Sequence, residues 1–422
     1  MPASRDLPSE PLDDRGAAAQ VGVTSDELQL RAFRRAVIDD PALQLRLAPI
    51  ERPDDYTAAA CALAQEIGIA LTTETVRRAL HPDPLGIGRW AAAPVTLDRW
   101  PGGGWLPARS VPTGGAPAFD WAWFGTERVV GPFYEDAVRR AASLPFNQMF
   151  RTRTSLATLV EGAHSAAEAA PNGLVFHMSR CGSTLVSEML ASVAHHHVVS
   201  EPEPLDAVVQ WASGASVSSS AGVAAVRAVV AALGRHRSGA VRRFFVKLDS
   251  WHTLALPLFR AAFPDVPWLF LYREPLEVVA SHARQPGAHT VAGAMPADIL
   301  GIAGAAELSA EQYCAAALGS VCGAVLDHWQ LGGGLLASYD SLATMMAREI
   351  PRHFGFIPDP EERAAMRSAT ARHSKDRMVA FVPDSQSKRH AASPAAAAAV
   401  EFYLRPFHAR LETLRRTGVE AR

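Results

Sequence analysis

Two short segments carry residue types suited to gripping phosphate-like anions. The first, Ser179-Arg180-Cys181-Gly182-Ser183-Thr184, follows the apolar run Gly173 to Phe176 and precedes a helical pattern through Leu185, Met189 and Leu190. A strand, a tight loop and a helix N-terminus in succession aim backbone N–H groups and a positive dipole end at one point. The ATP and GTP pattern G-x-x-x-x-G-K-[ST] needs lysine where Ser183 stands and glycine where His177 stands. Both departures point away from nucleoside triphosphate hydrolysis. In the second segment a strand-like run, Trp268 to Tyr272, ends in Arg273. A helix then opens with Pro275 and carries Ser281 two turns on. Arg273 offers a bidentate fork to a doubly charged group, and Ser281 a neutral donor.

In this order, each at a strand end, the two segments resemble the sulfotransferase family. There the same Arg and Ser grip the 3′-phosphate of 3′-phosphoadenosine 5′-phosphosulfate. Arg180, Cys181, Gly182, Ser183 and Thr184 stand where that family has its 5′-phosphosulfate loop. The resemblance covers about residues 171–390. It implies transfer of a sulfuryl group to a hydroxyl or amine on a peptide or small molecule. A sulfuryl group is less charged than a phosphoryl group, so fixed cations and dipoles can replace a metal ion at its transition state. No metal is therefore expected. An ATP-dependent phosphotransferase and a binding module without turnover are the rival readings.

The same resemblance supplies candidates for the chemistry. Glu201, in Val-Val-Ser-Glu-Pro-Glu, is similar in placement to the general base of tyrosylprotein sulfotransferases, with Glu203 as a substrate-facing neighbour. Lys247 matches the lysine of the Lys-x-His pattern of cytosolic members, but Asp249 replaces the histidine. Glu201 is favoured as base and Lys247 as the cation at the transferring group, with Asp249 and His252 as competitors. Asp249 also suits a helix cap. Arg180 is expected at the reacting phosphosulfate, and Cys181 as a small loop-filling residue. Lys388 and Arg389 resemble the late basic loop that closes over the nucleotide. Tyr339-Asp340 resembles the Tyr-Glu after a late strand.

The elements that must position these residues follow from patterning. Apolar runs at 174–178, 198–200, 244–248, 268–272 and 335–338 alternate with helical stretches. They imply an α/β fold, a P-loop parallel sheet flanked by helices with ligands at its carboxyl edge. Residues 171–422 form this unit. Residues 1–24 read as a mobile tail, and 25–90 as a small all-α domain with four helices. Its phrases Asp-Asp-Pro-Ala-Leu and Ala-Gln-Glu-Ile-Gly-Ile-Ala-Leu-Thr-Thr-Glu resemble the nitrogen-fixation-type leader-peptide domain. That makes a peptide acceptor one expectation, and a packing cap the other. Residues 91–170 read as a wrapping segment, with Pro, Gly and Trp over 81–125 pointing to ordered loop rather than disorder.

Composition bounds the rest. A formal net charge of −2 over 422 residues gives no case for nucleic acid or an anionic membrane. Four scattered cysteines and the lack of a signal-like or bilayer-length apolar run suit a cytoplasmic protein. His195, His196 and His197 point alternately on an extended chain and have no carboxylate spaced with them, so a surface loop is expected rather than a metal site.

Overall fold

The computed structural model describes residues 24–81, 93–126, 128–129, 131–165, 170–214, 217–235, 241–370, 372–373, 376–380 and 392–418. Four helices come first: α1 (Ser25–Asp39), α2 (Pro41–Leu47), α3 (Pro53–Glu66) and α4 (Thr73–Ala79). Thr24, Asp40 and Thr72 cap α1, α2 and α4 by accepting backbone N–H groups of the first turn. These are the four helices the periodicity calls for.

The segment that follows is a sheet where loop was expected. Strands β1 (Val95–Thr96), β2 (Trp105–Val111), β3 (Ala118–Trp123) and β4 (Thr152–Ser155) pair in the order β1-β4-β3-β2. The prolines and glycines of 101–104 and 112–117 sit in the turns that flank β2, and Pro107 lies at its irregularity, where the β2–β3 register shifts before Arg109. Helices α5 (Tyr134–Ser143), α6 (Pro145–Met149) and α7 (Leu156–Ser165) complete this layer. Trp105 and Trp121 are buried within it; Trp90 lies outside the described residues. One apolar core runs from the four helices through this sheet and onward. The Phe33 ring lies 5.9 Å from that of Phe150. Buried Arg34 donates to the carbonyls of Ala93 (2.7 Å) and Arg151 (2.9 Å).

The main sheet has five strands: β5 (Gly173–His177), β6 (His196–Ser200), β7 (Arg243–Lys247), β8 (Trp268–Tyr272) and β9 (Gly334–Ser338). All neighbours are parallel, in the order β6-β7-β5-β8-β9. Residues of β5 and β8 are buried throughout, as a sheet covered on both faces requires. Its helices are α8 (Ser183–Ala191), α9 (Glu203–Ala212), α10 (Ser219–Leu233), α11 (Leu256–Ala262), α12 (Pro275–Arg284), α13 (Ala297–Leu300), α14 (Ala310–Asp327), α15 (Leu342–His353) and α16 (Pro360–Thr370), then α17 (Pro394–Tyr403) and α18 (Arg405–Thr417). After β5 the chain steps to one side for β6 and β7, then crosses to the other for β8 and β9. That reversal opens a crevice at the carboxyl end of β5.

If the helices and the small sheet share a core, they must melt together. Phe33→Ala should cost about 3 kcal/mol and lower a single calorimetric transition. Two transitions, with only the smaller one shifted, would show a helical unit that folds by itself.

Candidate active site

A cleft of about 1520 Å³ opens over the carboxyl ends of β5, β6, β7 and β8. Its wall includes Ser179, Arg180, Gly182, Ser183, Thr184, Glu201, Asp249, Arg273 and Ser281, so one space collects residues spread over a hundred positions.

The loop after β5 is shaped by backbone conformation. Ser179 (φ 74°), Arg180 (φ 50°) and Gly182 (φ 92°) occupy the left-handed region. Non-glycine residues cost about 1–3 kcal/mol there and cluster at functional turns. Gly182 has a second constraint: a Cβ on it would stand 2.8 Å from the Tyr339 ring. Such a loop at the N-terminus of α8 is a concavity of N–H groups suited to an anion.

The two anion segments meet directly. Arg180 Nε donates to Ser281 Oγ at 2.9 Å, and its guanidinium also donates to Gln285 Oε1 at 3.1 Å. Arg273 is arranged differently from the expected open fork. Its Nε and a terminal nitrogen both lie 2.7 Å from Glu277 Oε2, one turn into α12, and its Cζ sits 4.1 Å from the centre of the Tyr339 ring. Arg273 is buried and partly neutralised, while Arg180 is the arginine in contact with Ser281.

Glu201 follows β6 directly. Its backbone N–H donates to Lys247 O at 2.8 Å, a last rung beyond the Ser200–Lys247 pair, and its φ of 49° then turns the chain into Pro202 and α9. The ladder thus sets the two residues side by side, and Lys247 Nζ donates to Glu201 Oε1. Lys247 is 1% exposed, and the Glu201 side chain 22%. His177 Nε2 lies 3.3 Å from the same oxygen. Burial works to raise the Glu201 pKa, but the Lys247 charge and the His177 contact outweigh it and hold the carboxyl well below its ordinary range.

The remaining candidates fall into distinct positions. Asp249 lines the cleft but accepts the Ser250 N–H (2.7 Å) and caps a 3-10 turn, Ser250–Ala255. Burial, then the nearby Glu201 charge, raises its pKa. His252 returns the cap by accepting the Asp249 N–H at 3.2 Å. Glu203 is tied to Ser110 of β2 through N–H (2.6 Å) and hydroxyl bonds, which links α9 to the small sheet. The Cys181 thiol turns inward: it is buried, donates to Leu271 O at 3.2 Å, and burial pushes it up to about 12, opposite to the lowering a helix dipole would give. Lys388 and Arg389 lie outside the described residues. Sequence reasoning missed His177, Gln285 and Trp251 at the cleft. Of these only Gln285, four residues after Ser281 on one helical face, had a periodic signal.

The histidine run is a correction. His196 and His197 belong to β6 and are buried, not in a surface loop. A carboxylate does join them: His195 Nε2 lies 2.6 Å from Glu362 Oε1 on α16, and the ligand atoms of His195, His196 and Glu362 lie within 4.8 Å of one another. Arg243 occupies the space between, with one nitrogen 3.4 Å from His195 Nε2, 3.0 Å from His196 Nε2 and 3.4 Å from Glu362 Oε1. A guanidinium already supplies the cation there.

No family model and no curated protein matches this chain. Among solved structures it is similar to sulfotransferase STF9 from Mycobacterium avium, with 13% identity over 62% of this chain and 80% of that one, at a TM-score of 0.37. No helix among the described residues is long and apolar enough to cross a membrane.

Two outcomes follow from this geometry. Gly182→Ala should destabilise by about 1–3 kcal/mol from its backbone conformation alone, with the Tyr339 clash added, and denaturant melts would show it. His196 donates from Nδ1 to Leu190 O (2.9 Å) and accepts from Arg243, and burial lowers its pKa to about 4. The unfolded chain, with an ordinary value of about 6.5, takes that proton first. The contribution is therefore complete above about pH 6.5 and declines toward pH 4. His196→Asn should flatten the melting temperature over that window in part, leaving the share of the other histidines that burial lowers: His289, to about 4, and His177, His353 and His408.

Proposed function

We propose that this protein transfers a sulfuryl group from 3′-phosphoadenosine 5′-phosphosulfate to a hydroxyl or amine acceptor. The observation that carries the reading is the Arg180–Ser281 bond, which joins a lysine-less phosphate-type loop to a second anion site in one cleft. A nucleotide with phosphates at both its 5′ and 3′ positions needs two such sites, whereas ATP needs one. The left-handed loop and the N-terminus of α8 suit the 5′-phosphosulfate end. Ser281, Arg180 and the Arg273 guanidinium suit the 3′-phosphate.

In the transfer, Glu201 takes the proton of the attacking hydroxyl or amine as its lone pair forms the new bond to sulfur. The bond from sulfur to the bridging phosphate oxygen breaks, and its electron pair stays on that oxygen. Lys247 and the loop N–H groups counter the charge gathered there. Glu201 later releases its proton to water. A depressed pKa keeps Glu201 ionised but makes it a poor base while Lys247 is its partner. A sulfonate oxygen competes for the same ammonium, and as Lys247 turns to it Glu201 regains basicity.

Calorimetric titration should show binding of 3′-phosphoadenosine 5′-phosphate, weakened ten- to a hundredfold in Arg180→Ala by loss of a charge-assisted bond of about 1.5–3 kcal/mol. Equal affinity for adenosine 5′-phosphate would sink the donor assignment, and abolition of turnover by a chelator would favour the ATP-dependent rival.

Glu201→Gln should cut turnover roughly 10²–10⁴-fold with donor affinity nearly unchanged. Full activity in that variant, with loss in Asp249→Asn, would move the role of base to Asp249.

A further inference from the structure

We propose that His177 is a positioning residue that fixes the orientation of Glu201 and couples it to the anion loop. The assignment rests on the sulfuryl-transfer reading only for the identity of the group transferred. His177 ends β5, where its backbone is held in register with Leu271 of β8. It is 3% exposed, lines the cleft, and has no part in the transfer described above.

Its two ring nitrogens face different elements. Nδ1 accepts the N–H of Ser179 at 3.0 Å, so a neutral ring carries its proton on Nε2. Nε2 lies 3.3 Å from Glu201 Oε1. The contact falls short of a hydrogen bond, and Nε2 has no other partner among the described residues. A small rotation of either side chain would complete the bond. The charged groups facing the ring are Glu201, Lys247 and Asp249. Burial, with Lys247 adding and Glu201 opposing, lowers the His177 pKa and keeps the ring neutral.

A neutral donor at this place serves in a way a second cation would not. It orients the carboxylate without cancelling its charge, so Glu201 can still accept a proton when Lys247 turns to the sulfonate. Lys247 bonds Oε1, and His177 Nε2 faces the same oxygen. The far end of the relay is Ser179, a left-handed residue of the anion loop. The conformation of that loop and the direction of the base are therefore joined through one imidazole.

Asparagine and glutamine divide the two functions of the ring. An Asn amide oxygen can replace Nδ1, and a Gln amide nitrogen can replace Nε2. In the donor-free protein, nitrogen-15 NMR should show His177 as the Nε2–H tautomer, protonating only below the ordinary histidine range. With turnover in hand, His177→Asn should lower kcat about 10²-fold, the scale of a misplaced reacting group, with the donor KM within twofold. The acidic limb of its kcat profile should move to higher pH, because the charged form of Glu201 has lost a donor. His177→Gln should recover at least tenfold of that loss. An Nδ1–H tautomer would overturn the assignment. So would a His177→Asn enzyme with wild-type kcat and pH profile while Glu201→Gln is inactive. A correct tautomer, with a carbon-13 carboxyl signal of Glu201 that titrates higher in His177→Asn, would uphold it even if no sulfuryl acceptor were ever turned over.

Discussion

Lys247 brings a full positive charge to the end of a buried strand, and Glu201 meets it from the next strand over. With Lys247 only 1% exposed, neither charge is stable there without the other. Removing one partner of a buried pair typically costs about 3–5 kcal/mol, because the survivor is left in a poor solvent. The pair exists because the β6–β7 register sets Ser200 opposite Lys247 and the following N–H closes one more rung. From that rung the chain turns through a left-handed residue, which aims the carboxylate into the cleft instead of along the strand. The loop after β5, the cap at Asp249 and the α9 tether at Ser110 are arranged about this point.

Much of the frame was legible because it depends on local pattern. The five apolar runs are the five strands to within two residues, and the cap residues open the helices where periodicity places them. The anion segments were legible for the same reason: each is a contiguous strand, turn and helix start. Their relation to one another was not. Arg180 bonds Ser281 across 101 positions, while the Arg273 fork is taken by Glu277 one turn away. Spacing identifies arginines at strand ends but not which acceptor each will find. His177 was illegible because its role depends on a backbone N–H two residues on and a carboxylate from another strand.

Residues 105–123 read as loop by the number of their prolines and glycines, but the place of those residues decides and not their number. The prolines and glycines of 101–104 and 112–117 end β2 and β3, and Pro107 coincides with the register shift. The histidine run reads as a surface loop from sequence because its partners are remote: Glu362 on α16 and Arg243 on β7. Two buried imidazoles are tolerable in β6 because their nitrogens are satisfied, those of His196 by the Leu190 carbonyl and Arg243 and that of His197 by the Leu233 carbonyl.

The inward turn of Cys181 closes a chemical route that its position would otherwise open. Cysteines at helix N-termini are commonly thiolates, ready for alkylation, peroxide or glutathione. Here the sulfur is buried against the Leu271 carbonyl, and burial pushes its pKa up to about 12. The anion loop can thus hold a small polarizable residue for its shape, with a thiol kept protonated and out of reach of oxidants in the cleft.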